Sequence, residues 1–326
     1  MTPNPDSAAA ATAVVLVNLG TPDAPTPAAV RRYLSEFLHD HRVVQMTRWL
    51  WCPLLHFVIL PVRGKPVAHK YETIWMPGPE GGSPLAVHTR DLARAMQRVM
   101  PEYRVVDAMR YGNPKLPAVL ARLRADGIER ALVVPLYPQY STTTTASVGD
   151  VVERTHDMSL RMLDEYHLAP EWVAAVADSI RTHRAAHGGD GHLLFSFHGL
   201  PQRLADAGDP YPQQCEASAN AIAEALGLRD GEWSLSYQSR FGRERWLEPA
   251  TDATLDALAA RGIKQVDVVA PGFAVDCLET LEEVSIMLAE QFAAHGGELR
   301  YVPCLNASPA HAEALAAIAR RALADA

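Results

Sequence analysis

The stretch LLFSFHGLP, residues 193 to 201, decides the fold of this chain. Apolar and small residues lead into His198, and Gly199 and Pro201 then end the run. Such a run is typical of a buried strand in a parallel sheet, and ligands bind open α/β sheets at the carboxyl ends of their strands. We therefore expect His198 at a ligand-binding sheet edge. A histidine that merely ends a strand and hydrogen-bonds a loop carbonyl is the simpler alternative.

A second stretch, DCLETLEE at 276 to 283, carries acidic residues that favour a functional role for His198. Asp276, Glu279 and Glu283 are spaced i, i+3, i+7, which predicts three carboxylates on one face of a helix. The stretch follows another predicted buried strand, QVDVVAP, so we expect both groups on the same sheet edge. Because the like charges in such a row repel one another, the row favours the binding of protons or of a cation. The alternative is a solvated acidic face at a helix N-terminus.

Strands and helices alternate along the chain, which predicts an α/β fold with mostly parallel sheets. VLVNLGTP (15–22) aligns with LFSFHGLP (194–201), and GIERALVVP (127–135) resembles GIKQVDVVA (262–270). These pairs predict a duplicated βα module with a pocket between the two halves. Leu19 takes the place of His198 in the alignment, so the second half alone would carry a base.

Length and composition favour a two-lobed protein with a small partner. The chain has 326 residues, and we place its lobes at residues 1–168 and 169–326. A net charge of −8 without a basic stripe argues against a nucleic-acid partner. The four cysteines are far apart, which excludes a standard zinc or local iron–sulfur motif and fits reduced thiols. The first dozen residues read as a frayed tail rather than a signal peptide, so we expect a cytoplasmic protein.

Residues 46–62, MTRWLWCPLLHFVILPV, form the most apolar stretch, which we name the lip segment. It is short, and Pro53 and Pro61 interrupt it, so a membrane span is not expected. It is either a buried core segment or an exposed lip that contacts a bilayer or admits a flat hydrophobic ligand. The second reading would make the protein peripheral on the inner face of the cytoplasmic membrane. Arg63 and Lys65 follow at once and suit acidic substrate groups or lipid headgroups.

Arg110 and Tyr111 fall at the end of another predicted strand, directly before Gly112. A guanidinium in this place can hold a ligand carboxylate. An ordinary surface salt bridge is the alternative.

Taken together, these motifs resemble the ferrochelatase family, whose members insert ferrous iron into a porphyrin. The likeness covers nearly the whole chain and is carried by LVNLGTPDAPT (16–26), EGGSPL (80–85), MRYGNP (109–114), PLYPQYSTTTT (135–145), SFHGLP (196–201), YQSRFG (237–242), GFAVDCLETLEE (272–283) and LNASP (305–309). The resemblance implies a chelatase-like fold of two Rossmann-like lobes, each with a mostly parallel four-stranded sheet, and a porphyrin cleft between the lobes.

The resemblance also implies roles for individual residues. His198 and Glu279 match the paired catalytic and metal-site residues, and Asp276 and Glu283 continue an acidic path for protons or metal. The matches to porphyrin-binding positions are Arg63, Tyr71, Ser83, Arg110, Tyr111 and Trp246.

The implied reaction is the insertion of Fe²⁺ into protoporphyrin IX, the terminal step of haem biosynthesis, with release of two pyrrole protons. A histidine near its neutral form can accept a proton, and an acidic face can hold or pass Fe²⁺. Whether His198 is a base or a transient iron ligand, and from which side the metal enters, stay open. Fe²⁺ is a substrate, and no permanently bound cofactor is expected. Cys277 replaces a histidine of some relatives, and the sequence ends without the cysteine-rich tail that holds a [2Fe–2S] cluster in others.

Three alternatives remain. The enzyme could be a coproporphyrin ferrochelatase, or a cobalt chelatase acting on an earlier and more carboxylated tetrapyrrole. An octa-acid, however, needs more cationic partners than one lip supplies. The third alternative is a non-catalytic porphyrin or haem carrier, which has no use for a base and an acidic row.

Overall fold

The structure is a computed structural model that describes residues 12–189 and 191–325. The tail predicted for the first dozen residues lies, apart from Thr12, outside this range. The chain forms two compact units. Unit 1 comprises Met1–Tyr137, Ser141–Asp164 and Ala307–Ala326, and unit 2 comprises Pro138–Tyr140 and Glu165–Asn306.

Each unit contains a parallel sheet of four strands. The strands are β1 (Thr12–Thr21), β2 (Arg104–Gly112), β3 (Arg130–Pro135), β4 (Ser159–Met162), β5 (His192–His198), β6 (Trp233–Gln238), β7 (Gln265–Val269) and β8 (Glu298–Val302). The strand order is β2-β1-β3-β4 in unit 1 and β6-β5-β7-β8 in unit 2. All strand pairs are parallel, which confirms the predicted α/β class. Because the two orders are equivalent, the aligned stretches occupy corresponding strands, β1 with β5 and β3 with β7.

Helices cover the sheets and bury their apolar side chains against them. They are α1 (Pro27–Leu38), α2 (Arg48–Leu54), α3 (Leu60–Ile74), α4 (Pro84–Val99), α5 (Leu116–Ala125), α6 (Thr145–Glu153), α7 (Pro170–His187), α8 (Gln202–Asp206), α9 (Tyr211–Leu226), α10 (Thr251–Ala260), α11 (Ala289–Ala294) and α12 (Pro309–Ala324). Two segments are π-helical, Leu55–Ile59 and Glu279–Leu288. The central strands β1 and β5 are buried almost throughout, as expected for strands covered on both faces.

The division into units differs from a single boundary at 168/169. The main change of unit falls between Asp164 and Glu165, and helix α12 at the end of the chain belongs to unit 1. There Arg320 donates to the Glu102 carboxylate and to the Val99 carbonyl, both at 2.8 Å. Helix α12 buries an alanine- and leucine-rich face. The residues of such an apolar face do not indicate which of the two sheets the helix packs against. The sequence position of α12 therefore did not show that it belongs to unit 1.

The lip segment is helical and has one buried and one exposed apolar side. The exposed fraction is 73% for Trp49, 81% for Phe57 and 68% for Val62, whereas Leu55 and Leu60 are buried against Leu38. A π-helical segment joins α2 to α3 between the two prolines, whose missing N–H groups interrupt the α-helical ladder. The buried-core and exposed-lip readings therefore each describe one side of this helix. Within the described part of the chain, no helix has the length and apolar character needed to cross a membrane.

We expect Gly20→Ala to disrupt unit 1. Gly20 is the last residue but one of β1 and has φ of +114°, and a Cβ there would lie 1.7 Å from the Tyr111 carbonyl oxygen. The strand ends would have to separate, at a cost of about 3 kcal/mol or more in the free energy of unfolding. Gly127→Ala is the matched control, since Gly127 has φ of +87° but open space around the added atom. It should cost about 1 kcal/mol. Equal losses in urea unfolding would contradict this account.

Candidate active site

His198 lies at the carboxyl end of β5, as the sequence predicts. Residues 193–197 are fully buried, while His198 itself is half-buried. Its Nδ1 lies 2.7 Å from the Gly199 carbonyl oxygen. A carbonyl can only accept, so Nδ1 carries the proton and Nε2 of the neutral ring keeps a lone pair. The simple alternative, a bond to a loop carbonyl, is thus present, and it also prepares the other nitrogen as a proton acceptor or metal ligand.

Both carboxylate oxygens of Glu283 are held by Ser239, the residue that follows β6. Its Oε1 accepts from the backbone N–H of Ser239 at 2.7 Å, and its Oε2 accepts from the Ser239 hydroxyl. Burial raises the pKa of Glu283, and the charge of Glu279 raises it further, against the Ser239 hydrogen bonds and the charge of His198. His198 and Glu279 therefore both lie close enough to Glu283 for their charges to interact with its carboxylate. A carboxyl group with a raised pKa is a better proton acceptor than an ordinary surface carboxylate.

Gln238 connects the histidine strand to the acidic helix. It is buried at the end of β6, directly beside His198 in the parallel register. Its Nε2 donates to the Glu279 carbonyl at 2.8 Å, and its Oε1 accepts from the Ser196 hydroxyl at 2.6 Å. Gln238 and Ser239 were not selected from the sequence, although both are polar residues at a strand end. Their position at the carboxyl end of a strand is the feature of the sequence that could have identified them as site residues.

The acidic segment differs from the predicted α-helical face. Residues 279–288 are π-helical, and Asp276 precedes this helix. The prediction of three carboxylates on one α-helical face is therefore wrong for Asp276, although Glu279 and Glu283 do lie close to each other. An apolar run with helical spacing does not distinguish an α-helix from the rarer π-helix, which is common at functional sites.

Asp276 is held by donors within unit 2. Its carboxylate accepts from the Tyr301 hydroxyl at 2.5 Å, from Asn306 Nδ2 at 2.6 Å and from the Thr280 hydroxyl at 3.2 Å. These bonds fix the loop that leads into the π-helix. The neighbouring Cys277 is buried, and burial together with the charge of Glu279 raises its thiol pKa. Burial therefore favours the protonated thiol of Cys277 in this structure.

Trp246 packs beside Gly199, the residue after the histidine. It is 9% exposed, and its indole N–H donates to the Phe241 carbonyl at 2.9 Å. A Cβ at Gly199 would lie 3.1 Å from the indole ring, so the glycine after His198 allows this close packing. The Phe273 ring lies near the imidazole of His198, with ring centroids 6.3 Å apart.

Arg110 and Tyr111 meet in unit 1 at a residue that the sequence did not single out, Asp40. Asp40 Oδ2 accepts from Arg110 Nη2 at 2.5 Å, from the Tyr111 hydroxyl at 2.7 Å and from the Ser147 hydroxyl at 2.8 Å. Burial opposes ionisation of Asp40, but these hydrogen bonds, one from the Arg42 N–H and the Arg110 charge outweigh it and lower the pKa. Tyr111 is 1% exposed. The guanidinium of Arg110 and the hydroxyl of Tyr111, both predicted to contact a ligand, thus donate to Asp40 within unit 1.

The other predicted porphyrin contacts of unit 1 lie on α3 and at the start of α4. Arg63 is exposed on α3, and Tyr71 is buried on the same helix with its ring 6.3 Å from that of Trp75. Ser83 precedes α4, and its buried hydroxyl has no hydrogen-bond partner among the described residues. In residues 12–189 and 191–325, no group of three or more His, Cys, Asp or Glu side chains is arranged to hold a metal ion.

Comparison with known proteins covers almost the whole chain. A family model described as Ferrochelatase matches residues 11–323. The chain belongs to the ferrochelatase family. A ferrochelatase of Xanthomonas axonopodis pv. citri (strain 306) is 58% identical over 315 residues, covering 95% of this chain and 98% of the relative. One of Vibrio parahaemolyticus serotype O3:K6 is 48% identical over 316 residues, covering 95% and 98%. The resemblance drawn from the motifs is confirmed.

Solved structures agree on the fold. SirB from Bacillus subtilis with Fe³⁺ matches with a TM-score of 0.55 and 11% identity over 95% of this chain and 94% of that chain. The cobalt complex of the sirohydrochlorin chelatase SirB from Bacillus subtilis subspecies spizizenii matches with a TM-score of 0.51, 10% identity and the same coverage. The fold is that of a chelatase. Family membership makes this ferrochelatase a metal chelatase of the lyase class that inserts Fe²⁺ into a porphyrin.

We expect Ser239→Ala to change the pH dependence of this ferrochelatase. The variant removes one donor from the partly buried Glu283 carboxylate, so the pKa of Glu283 should rise further. Glu283 accepts protons only when ionised, so the acid limb of the kcat/KM profile should move to higher pH, with little change on the alkaline side. Ser285→Ala, on the same π-helix, is the control and should leave the limb in place. If the acid limb of Ser239→Ala does not move, the expected role of Glu283 as a proton acceptor is contradicted.

Proposed function

We propose that this ferrochelatase inserts Fe²⁺ into protoporphyrin IX, as the terminal step of haem biosynthesis, and releases two pyrrole protons. The observation that carries the proposal is the grouping of His198, Glu279 and Glu283 in unit 2. One nitrogen of His198 is bound to Gly199, which leaves the other for chemistry. A raised carboxyl pKa beside it provides a second proton acceptor. A carrier protein would need neither.

The proton balance assigns a role to each of these residues. Two N–H bonds of the porphyrin break, both electron pairs remain on nitrogen, and Fe²⁺ takes the place of the two protons. Nε2 of His198 accepts a proton in its neutral form. Glu283 accepts one more readily than an exposed carboxylate because burial disfavours its charge. Protons then leave His198 through Glu283, and Asp276, whose oxygens fix the preceding loop, serves the path indirectly.

Fe²⁺ is a substrate that has to be held and then released. Imidazole nitrogen and carboxylate oxygen are suitable ligands for ferrous iron, so His198 and Glu279 are the proposed metal contacts. Two protein ligands hold the ion less firmly than a closed set, which suits transfer to the macrocycle. The absence of a resident [2Fe–2S] cluster is part of the proposal, and an iron–sulfur absorbance band in anaerobically purified protein would contradict it.

The apolar character of the lip supports protoporphyrin over more carboxylated tetrapyrroles. Trp49, Phe57 and Val62 expose apolar surface next to the basic residue Arg63. A largely apolar macrocycle with few carboxylates matches such a surface. Arg63, Tyr71, Ser83 and Trp246 are the proposed porphyrin contacts. The unpartnered hydroxyl of Ser83 is a donor that a ligand can use.

The same exposed face supports contact with a membrane surface. A helix with large apolar residues on one side and basic residues beside them is typical of interfacial binding. Arg48 and Lys65 are exposed near the two ends of the lip segment. We propose that the enzyme is cytoplasmic and binds peripherally to the inner face of the cytoplasmic membrane.

Anaerobic assays with Fe²⁺ test the reaction. Protoporphyrin IX should give the haem spectrum, with a higher kcat/KM than coproporphyrin or an octa-acid, and Co²⁺ should not be preferred. His198→Ala and Glu279→Gln should each lower kcat about 100-fold or more, because each removes a group that acts on the reacting atoms. Glu290→Gln, an exposed residue beyond the π-helix, is the matched control. Normal iron insertion by His198→Ala would overturn the assignment. Porphyrin binding without insertion by the unmodified protein would favour a carrier.

Liposome co-sedimentation tests the lip. Trp49→Ser with Phe57→Ser should weaken binding about tenfold or more and leave the free energy of unfolding within about 1 kcal/mol, since both rings are exposed. Trp51→Ser should leave liposome binding nearly unchanged and lower the free energy of unfolding. Its indole donates to the Leu38 carbonyl at 2.7 Å and packs against the buried side of the lip. It therefore does not belong to the membrane-facing set. Unchanged liposome binding by the double variant would contradict the membrane proposal.

A further inference from the structure

Asp40 joins the end of helix α1 to the chain that leads into the lip segment. We name residues 40–44 the lip root. The backbone carbonyl of Asp40 accepts from the N–H groups of Val43 at 3.1 Å and Val44 at 2.9 Å. Its carboxylate Oδ1 accepts from the N–H of Arg42 at 2.8 Å. One residue therefore fixes three successive amides of the lip root.

The other carboxylate oxygen connects the lip root to the sheet. Oδ2 accepts from Arg110 and Tyr111 at the carboxyl end of β2 and from Ser147 on α6. Arg110 Nε also donates to the Ser147 carbonyl at 2.9 Å, and the Tyr111 and Ser147 hydroxyls lie 2.9 Å apart. Arg42 of the lip root pairs with Asp150 on α6 at 2.7 Å. The lip root is thus held at two points on the same helix and at one sheet edge.

We propose that Asp40 is a positioning residue that holds the lip against the carboxyl end of β2, with Arg110 and Tyr111 serving this anchor rather than contacting the porphyrin. The inference rests on the proposed use of the lip as a porphyrin contact. A lip in a fixed place is ready to receive a flat substrate, whereas a loose lip has to be ordered during binding. Ordering costs conformational entropy that is subtracted from the affinity. Loss of the anchor should therefore raise KM for the porphyrin more than it lowers kcat.

Asp40→Asn is a sharp test because it keeps the shape of the side chain. The carboxylate faces donors on both oxygens, and the amide replaces one acceptor by an NH₂ group. Three donors converge on Oδ2 and one on Oδ1. The amide should keep its oxygen at the crowded position and turn its NH₂ group towards the Arg42 N–H. Asp40→Asn then removes the negative charge that pairs with Arg110 at the end of β2 and breaks the bond to the Arg42 N–H.

Steady-state kinetics give the first measurement. Asp40→Asn should raise the porphyrin KM about tenfold and keep kcat within about twofold, in line with the loss of a charge-assisted hydrogen bond. Asp126→Asn is the matched control, an aspartate of unit 1 that pairs with Arg104 at 3.0 Å on the surface. It should leave both parameters unchanged. A fall in kcat at constant KM would overturn the proposal.

Hydrogen exchange gives a second measurement that does not depend on activity. The amides of residues 42–44 should exchange about tenfold faster in Asp40→Asn, while those of the buried strand β1 stay protected, because the opening is local. Equal acceleration in β1 would mean global destabilisation and would overturn the proposal. So would unchanged exchange at the lip root. If Asp40→Asn does not fold, Ser147→Ala removes one donor from Oδ2 and should change exchange and KM in the same direction by a smaller factor.

A double-mutant cycle separates anchoring from direct binding. If Tyr111 acts through Asp40, the KM effects of Asp40→Asn and Tyr111→Phe should not multiply in the double variant. Fully multiplicative effects would mean that Tyr111 contacts the porphyrin independently, against the proposal. Failure of the unmodified enzyme to insert iron into protoporphyrin would overturn the proposed function instead, and the exchange data would still decide whether Asp40 anchors the lip.

Discussion

The partial burial of the Glu283 carboxylate, with its need for hydrogen-bond donors, is the constraint that joins the end of β6 to the π-helix. Removing a carboxylate from water is costly unless donors replace the lost hydration. Ser239 supplies two donors from one residue, its backbone N–H and its hydroxyl. To do so it adopts φ of 64°, in the left-handed region that a residue other than glycine enters at a cost of about 1 kcal/mol or more. The end of β6 is therefore fixed in an unfavourable conformation so that one acidic side chain can be held beside His198.

The π-helix divides the acidic residues into two classes. Asp276, before the helix, uses its oxygens to bind Tyr301, Asn306 and Thr280 and so fixes where the helix begins. Glu279 and Glu283 follow within the π-helix and act on each other through their charges. A wider helix has weaker backbone geometry, and it persists here because the loop before it and Gln238 beside it are both held by hydrogen bonds. The hydrogen bonds of Asp276 thus fix the start of the π-helix that carries Glu279 and Glu283.

The two units apply one topology to different tasks. In each, the central strand is flanked by a strand that ends in a polar side chain, Arg110 in unit 1 and Gln238 near the corresponding place in unit 2. Gln238 holds the π-helix through the Glu279 carbonyl, and Arg110 holds the lip root through Asp40. The same sheet position therefore binds a helical or loop segment in each unit. The corresponding strands β1 and β5 differ in that Leu19 stands where β5 has His198.

The sequence by itself determined the α/β class, the duplication, the place of His198 at a strand end and the family, because hydrophobic period, turn residues and motifs are local properties of the chain. It also indicated the closeness of Glu279 and Glu283 through their spacing. Only the tertiary structure decided that Asp276 accepts from Tyr301, Asn306 and Thr280, that Trp51 packs inward while Trp49 is exposed, and that Arg110 and Tyr111 bind Asp40. It also placed helix α12 in unit 1. Each of these depends on partners distant in the chain, and which donor reaches which oxygen is fixed by packing, which spacing along the sequence does not encode.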